Sequence, residues 1–244
     1  MPVKLVALLV AVGAIALVPG SATSAPSCLG RTPTIVDGAG SSRIQGTPGG
    51  DVIFAGAGND TIAAGDGVDY VCGGDGDDTM DAGTGDDLMD GGEGDDELHG
   101  YNGDDRVEGG AGGDFLDGRR GREDVLIAGP GRDELIGGSL QKGGGGNDRL
   151  DSAGYRRETG MDRLLGGAGD DRIRGDGQGG FGDRLEGGPG SDSISGDAGD
   201  DALAGGDGPD TLRGDSGDDS LDGGPGTDAC DQGSGSGPER GCES

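Results

Sequence analysis

The chain contains no tryptophan, only three tyrosines and three phenylalanines, and one histidine among 244 residues. Large apolar side chains are too scarce for the core of one or two ordinary globular domains, which this length would otherwise allow. Basic groups are also scarce: 18 Lys and Arg stand against 48 Asp and Glu, a formal charge of −30. That balance excludes nucleic-acid binding, which needs a basic stripe to neutralise phosphates, and points to cations as partners. Zinc has little support, because no C-x-x-C pair occurs and His99 is the one histidine. Neither an H-E-x-x-H helix nor a G-x-S-x-G elbow between strand and helix is present, so no hydrolytic machinery is expected. Helical periodicity is lacking after Val18, and no apolar run beyond that point is long enough to cross a membrane.

The first residues are of another kind. Lys4 precedes an apolar run from Leu5 to Val18, followed by the small residues of Pro19 to Ala25. A charged start, a short apolar core and a small-residue exit form the layout of a secretory signal peptide, with cleavage after Ala22 or Ala25. Residues 1–25 are therefore expected to be removed and the mature chain to be secreted. Cys28, Cys72, Cys230 and Cys242 remain in it, an even number in an oxidising compartment. Four cysteines permit three pairings; Cys28–Cys72 with Cys230–Cys242 would staple each terminus.

What fills the rest is a nine-residue phrase, G-G-x-G-x-D-x-U-x with U a large apolar residue. Clean copies are Gly73–Asp81 and Gly166–Arg174. From Gly46, eight units run without a gap to Asp117, with Asp51, Asp60, Asp69, Asp78, Asp87, Asp96, Asp105 and Asp114 at the sixth position. Their eighth positions are Ile53, Ile62, Val71, Met80, Met89, Leu98, Val107 and Leu116. Upstream, Asp37–Gln45 keeps the phase with Ile44, but Ser42 replaces the aspartate; residues 26–45 thus read as an N-terminal cap.

Between 118 and 186 the phrase is irregular. Residues 118–127 hold a ten-residue version with Asp124, and 128–136 restores the spacing with Asp133. Gly137–Lys142 and Ser152–Arg156 read as insertions before the units of Asp148 and Asp162. Asp171 lies in a clean unit; Gly175–Gln178 is extra, and the unit ending at Asp183 is one residue short. Regular units with Asp192, Asp201, Asp210, Asp219 and Asp228 complete the repeats at 231, leaving 232–244 as a C-terminal disulfide cap.

Polar neighbours flank the eighth position, as in Thr61-Ile62-Ala63 and Arg172-Ile173-Arg174. Such a triplet is a very short strand with one inward side chain, and the six glycine-rich residues before it form a turn. A three-residue strand is stable only in a stack that supplies its hydrogen bonds. Two units make one 18-residue coil, so the expected fold is all-β: a parallel β-solenoid of nine-residue half-turns, with two sheets facing each other across one apolar layer. Because that layer is thin and the backbone glycine-rich, the chain is expected to need a bound cation in order to fold. His99, at an outward ninth position, is expected to be solvated. The outward Arg149, Arg163, Arg172, Arg174 and Arg184 are expected to pair with neighbouring aspartates.

Residues 37–231 resemble the haemolysin-type calcium-binding (RTX) repeat family. The resemblance implies a right-handed parallel β-roll with several Ca2+ ions held between successive turns by the sixth-position aspartates and turn carbonyls. Carried onto this chain, those ligands are Asp51, Asp60, Asp69, Asp78, Asp87, Asp96, Asp105, Asp114, Asp133, Asp148, Asp162, Asp171, Asp183, Asp192, Asp201, Asp210, Asp219 and Asp228. The expectation is a secreted monomer whose partner is calcium. A calcium-rigidified module for adhesion to a cell surface or carbohydrate is the alternative.

Overall fold

The computed structural model describes residues 27–152, 160–177 and 181–243; the predicted signal peptide lies outside them. Every strand among the described residues belongs to one of two parallel sheets. Sheet I has 12 strands, from Ile35–Ala39 to Glu239–Arg240, and sheet II has 11, from Arg43–Gln45 to Ala229–Asp231. Successive strands alternate between the sheets, and each pairs in parallel with the strand two further along the chain. The chain therefore winds as a parallel β-solenoid, the all-β roll expected from the repeat. No described residue is helical.

The winding follows from the strand's period of two. Seventh and ninth positions face outward and the eighth faces inward. Ile53, Val71, Met89 and Val107 stack in register through sheet I, and Ile44, Ile62, Met80 and Leu98 through sheet II. The two columns meet in a single buried layer that continues to Leu212 and Leu221. Turns from sheet I to sheet II line one edge of the roll, here the outgoing edge; turns from sheet II back to sheet I line the return edge.

Both cysteine pairs form as the terminal staples. Cys28–Cys72 has a Cα separation of 5.6 Å and Cys230–Cys242 one of 5.7 Å. Cys230 occupies an eighth position, in register with Leu212, so the second bridge lies at the end of the inward column. At the other end Cys28 is buried, and Arg31 lies over the Tyr70 ring at 3.8 Å while donating a hydrogen bond to its hydroxyl.

The irregular segment follows a rule that spacing alone does not reveal. Every outgoing turn has six residues, including 128–133, 143–148, 166–171 and 187–192 within that segment. The variation among the described residues falls on the return edge, at 118–124 and 137–139; the expected insertion Ser152–Arg156 lies mostly outside the described residues. Gly137–Lys142 is therefore not an insertion. It is a shortened return turn followed by the start of a strand, Leu140–Gly145, that pairs in register on both sides. In that coil Ser139 stands where an aspartate is expected, and Gln141 takes the inward place between Leu126 and Leu164. Near the expected extra residues Gly175–Gln178, Gly175 keeps the first-position backbone bond, to Ser195.

His99 departs from its expected solvated position: it is 7% exposed. Its Nε2 lies 3.1 Å from Glu97 Oε1, and Arg119 Nη2 approaches Nδ1 at 3.3 Å. Tyr101 and Phe115 meet the imidazole edge-on. Tyr101 and Arg119 replace second-position glycines and have positive φ, 71° and 58°, which brings the guanidinium over the Tyr101 ring and folds both over the histidine.

At the second position of the outgoing turns glycine is required on two counts. Gly74 has φ +120°, and a Cβ there would collide with the carbonyl of Gly56 one coil before. Gly38, in register at the start of the stack, has open space around it. Gly74→Ala should lower the thermal midpoint of the folded protein clearly, while Gly38→Ala should stay within ~0.5 kcal/mol of the parent. Equal midpoints for the two variants, measured by circular dichroism, would show that the close coil-to-coil approach does not govern stability.

Candidate metal centre

The sixth residue of each turn has an outward-facing strand after it and an inward-facing residue two places on, which sets its side chain within the turn. Stacking then brings aspartates of successive coils together. On the outgoing edge they form one row: Asp60, Asp78, Asp96, Asp114, Asp133, Asp148, Asp171, Asp192, Asp210 and Asp228. The backbone N–H of each donates to Oδ1 of the next, over 2.7–3.0 Å. Ser42 starts this row by donating its N–H to Asp60.

The return edge carries a row in two parts. Asp51, Asp69, Asp87, Asp105 and Asp124 are linked in the same way. A second run joins Asp162, Asp183, Asp201 and Asp219. Ser139 lies between the two. All the aspartates nominated from the sequence thus fall into the rows. Asp124, which the strict nine-residue spacing does not nominate, joins them fully buried, nineteen residues after Asp105. The inward Leu126 two residues on was the signal that could have found it.

Each carboxylate that follows another in its row, and Asp60 after Ser42, spends one oxygen on this ladder. The other, Oδ2, is buried and accepts no hydrogen bond in Asp60, Asp69, Asp78, Asp87, Asp96, Asp105, Asp114, Asp133, Asp148, Asp171, Asp192, Asp201, Asp210, Asp219 and Asp228. Asp51 and Asp183 differ: Thr47 donates N–H and hydroxyl to Asp51 Oδ2, and the N–H of Asp176 reaches Asp183 Oδ2. A buried carboxylate oxygen without a partner is costly, and a row of them is costlier because the charges face one another. Beside the Cα of Gly73, the oxygens of Asp78 Oδ2 and the Gly91 carbonyl border a common space; Gly166, Asp171 and Gly187 repeat the arrangement.

Burial raises the carboxyl groups strongly. Backbone N–H donors oppose the shift, and neighbouring aspartates add to it. Asp78, Asp87 and Asp192 are pushed up to about 6, and Asp96, Asp105, Asp133, Asp171 and Asp201 to about 7. Asp60, Asp69, Asp114, Asp148, Asp183, Asp210 and Asp219 move the same way. No three side chains of His, Cys, Asp or Glu converge on a point among the described residues. The available donors are therefore stacked carboxylates plus turn carbonyls, an all-oxygen set that suits a hard cation such as calcium. The orphaned oxygens suit such an ion.

Elsewhere on the surface, two of the five outward arginines pair with acids: Arg149 with Glu134 and Asp151, and Arg174 with Asp197.

Two parallel sheets closed by glycine-rich turns, most of them carrying a buried acid, define a repeat protein of the β-roll class. The model of the RTX calcium-binding nonapeptide repeat matches residues 36–71, 45–80, 81–116, 121–139, 158–178, 178–212 and 204–237. The chain belongs to this family of calcium-binding repeats. The search of curated proteins returned no match.

The raised carboxyl values predict an unusual pH response in the calcium-free protein. Folding binds protons more tightly than the unfolded chain does, since these aspartates lie at about 6–7 when folded and 3.8 when free. The stabilisation is complete below about pH 4 and is lost as pH rises through about 6–7. In chelator, β-type circular dichroism should therefore grow as pH falls from 8 to 4. A signal that is flat or declining over that range would contradict the buried-acid rows.

Proposed function

We propose that this is a secreted, non-catalytic calcium-binding protein whose β-roll folds as Ca2+ enters the turns. The observation that carries the reading is the repeated, buried and unpaired Oδ2 of the sixth-position aspartates. The residues that would hold the ions are Asp51, Asp60, Asp69, Asp78, Asp87, Asp96, Asp105, Asp114, Asp133, Asp148, Asp162, Asp171, Asp183, Asp192, Asp201, Asp210, Asp219 and Asp228, with Asp124 added. When bound, calcium supplies the positive charge that lets these stacked carboxylates ionise in place. The chain's own contribution is to hold Oδ1 fixed on a backbone N–H of the preceding coil and to leave Oδ2 beside turn carbonyls.

Export is supported by the charged, apolar and small-residue order of residues 1–25 and by the two disulfides, which persist in oxidising compartments. No described helix is long and apolar enough to cross a membrane. The disulfide at each end of the column favours a monomer. The second reading, a calcium-stiffened adhesion module, draws on one observation. A groove of about 950 Å³ opens where the outgoing edge meets sheet II, lined by Phe115, Arg132, Glu134, Asn147, Arg149 and Arg172.

Calcium titration of the mature chain, followed by far-UV circular dichroism with magnesium as control, is the test. A steep rise of β signal with calcium alone is expected near the millimolar range typical of extracellular sites. Asp96→Asn, in the middle of the outgoing row, should move the midpoint to higher calcium and cost roughly 1 kcal/mol at about 1 mM calcium. A roll that forms equally in chelator at pH 8, or equally with magnesium, would overturn the proposal.

A further inference from the structure

A second ladder runs along the outgoing edge, at the exposed fifth position of its turns. There the backbone N–H of one coil donates to a side-chain oxygen of the coil before it. Asn59 donates to Ser41 Oγ, Asp77 to Asn59 Oδ1, Asp95 to Asp77 Oδ1 and Gly113 to Asp95 Oδ1. The sequence then withdraws the acceptor twice. Gly113 has no side chain to offer Arg132, and Arg132, whose side chain only donates, has none to offer Asn147. The ladder resumes where Asp170 donates to Asn147 Oδ1 and Ser191 to Asp170 Oδ1. Among the described residues, the N–H groups of Arg132 and Asn147 are thus left without a protein acceptor.

The groove opens at this gap: Gly113, Arg132 and Asn147 line it with Phe115, Arg149 and Arg172. Phe115, Glu134, Arg149 and Arg172 hold successive seventh positions in register, so their side chains stand outward in one file. Arg149 pairs with Glu134, but Arg132 and Arg172, both exposed, have no acidic partner among the described residues. In a chain with a formal charge of −30, two unpaired arginines beside two open backbone donors reverse the sign locally. Guanidinium forks and backbone N–H groups are the donors that hold a carboxylate. The half-buried Phe115 ring adds a flat apolar face, while Glu134 and Asp170 offer acceptors for hydroxyl groups. A peptide strand would need an open sheet edge, whereas Glu134–Ile136, Arg149–Asp151 and Arg172–Arg174 are each paired on both sides. A sugar chain needs no such edge, and its carboxylates, hydroxyls and apolar ring faces match what the groove presents.

We propose that the groove between Gly113 and Arg172 binds an acidic polysaccharide, its uronate carboxylates held by the guanidinium groups of Arg132 and Arg172 and by the open N–H groups of Arg132 and Asn147. The inference rests on the calcium reading, because Asp114, Asp133 and Asp148 line the buried side of the groove and repel an anion until their charge is matched. It gives the adhesion reading a ligand class and a place on the roll.

Calorimetric titration of the mature protein with oligoglucuronate in saturating calcium tests it, with far-UV circular dichroism in the same buffer to report the roll. Arg132→Ala and Arg172→Ala should each weaken binding about tenfold. Gly113→Asp restores the missing acceptor and adds a carboxylate, at a position where a new Cβ meets nothing closer than the Arg132 carbonyl oxygen at 3.1 Å. It should weaken binding further than either arginine variant. In the parent, the amide NMR signals of Arg132 and Asn147 should shift on adding the oligomer, which locates the site even where a variant fails to fold. A folded roll that ignores oligoglucuronate, or binds dextran sulfate or polyglutamate equally well, overturns the inference and leaves the calcium reading standing. Undiminished affinity in both arginine variants, or amide shifts confined to other coils, does the same. A chain that forms no roll at any calcium concentration overturns both.

Discussion

Half-satisfied carboxylates are the constraint on which this molecule depends. A sixth-position aspartate gives one oxygen to the backbone of the neighbouring coil and buries the other without a partner. The first bond ties coil to coil; the second oxygen makes the tie unfavourable unless a proton or a cation arrives. Structure and ligand requirement thus come from a single side chain. An asparagine would stack as well without demanding a cation, and a solvent-facing aspartate would carry charge without tying coils.

Around this constraint the packing is sparse. One inward aliphatic side chain per unit fills the space between sheets, and glycine lets the turns approach closely enough for the carboxylate ladder to close. The strand triplets tolerate no shift, because a one-residue slip would put polar neighbours inside. Turns tolerate much more. The seven-residue turn at 118–124 returns the chain to the correct register with Asp124 in its row, and Asp183 keeps its row although the spacing before it is irregular. The three-residue turn loses its aspartate, to Ser139, as the first turn of the stack does to Ser42.

Period, strand direction and inward residues were legible because they are local: alternation within three residues and glycine before them suffice. The terminal disulfides were legible from the positions of the cysteines at the two ends, although three pairings were open. What could not be read was which edge each irregular turn occupies, because that needs the running alternation of edges to be carried through coils of unequal length. Gln141 hid a strand for a related reason, since an amide at an eighth position breaks the apolar signal. His99 was misjudged because its cover comes from Arg119, twenty residues away and one coil on, held by an αL backbone that no spacing announces.

Unequal coils have a mechanical consequence. Neighbouring strands in a sheet are spaced by hydrogen bonding at roughly 4.8 Å, whatever the number of residues between them. A coil of 15 residues, as from Leu126 to Gln141, and one of 23, as from Gln141 to Leu164, advance the axis by the same step. With 12 strands in sheet I the molecule spans roughly 50 Å along its axis. It is a ruler graduated in coils rather than residues: the return edge can gain or lose sequence freely in girth, while the distance between its two stapled ends changes only by whole steps.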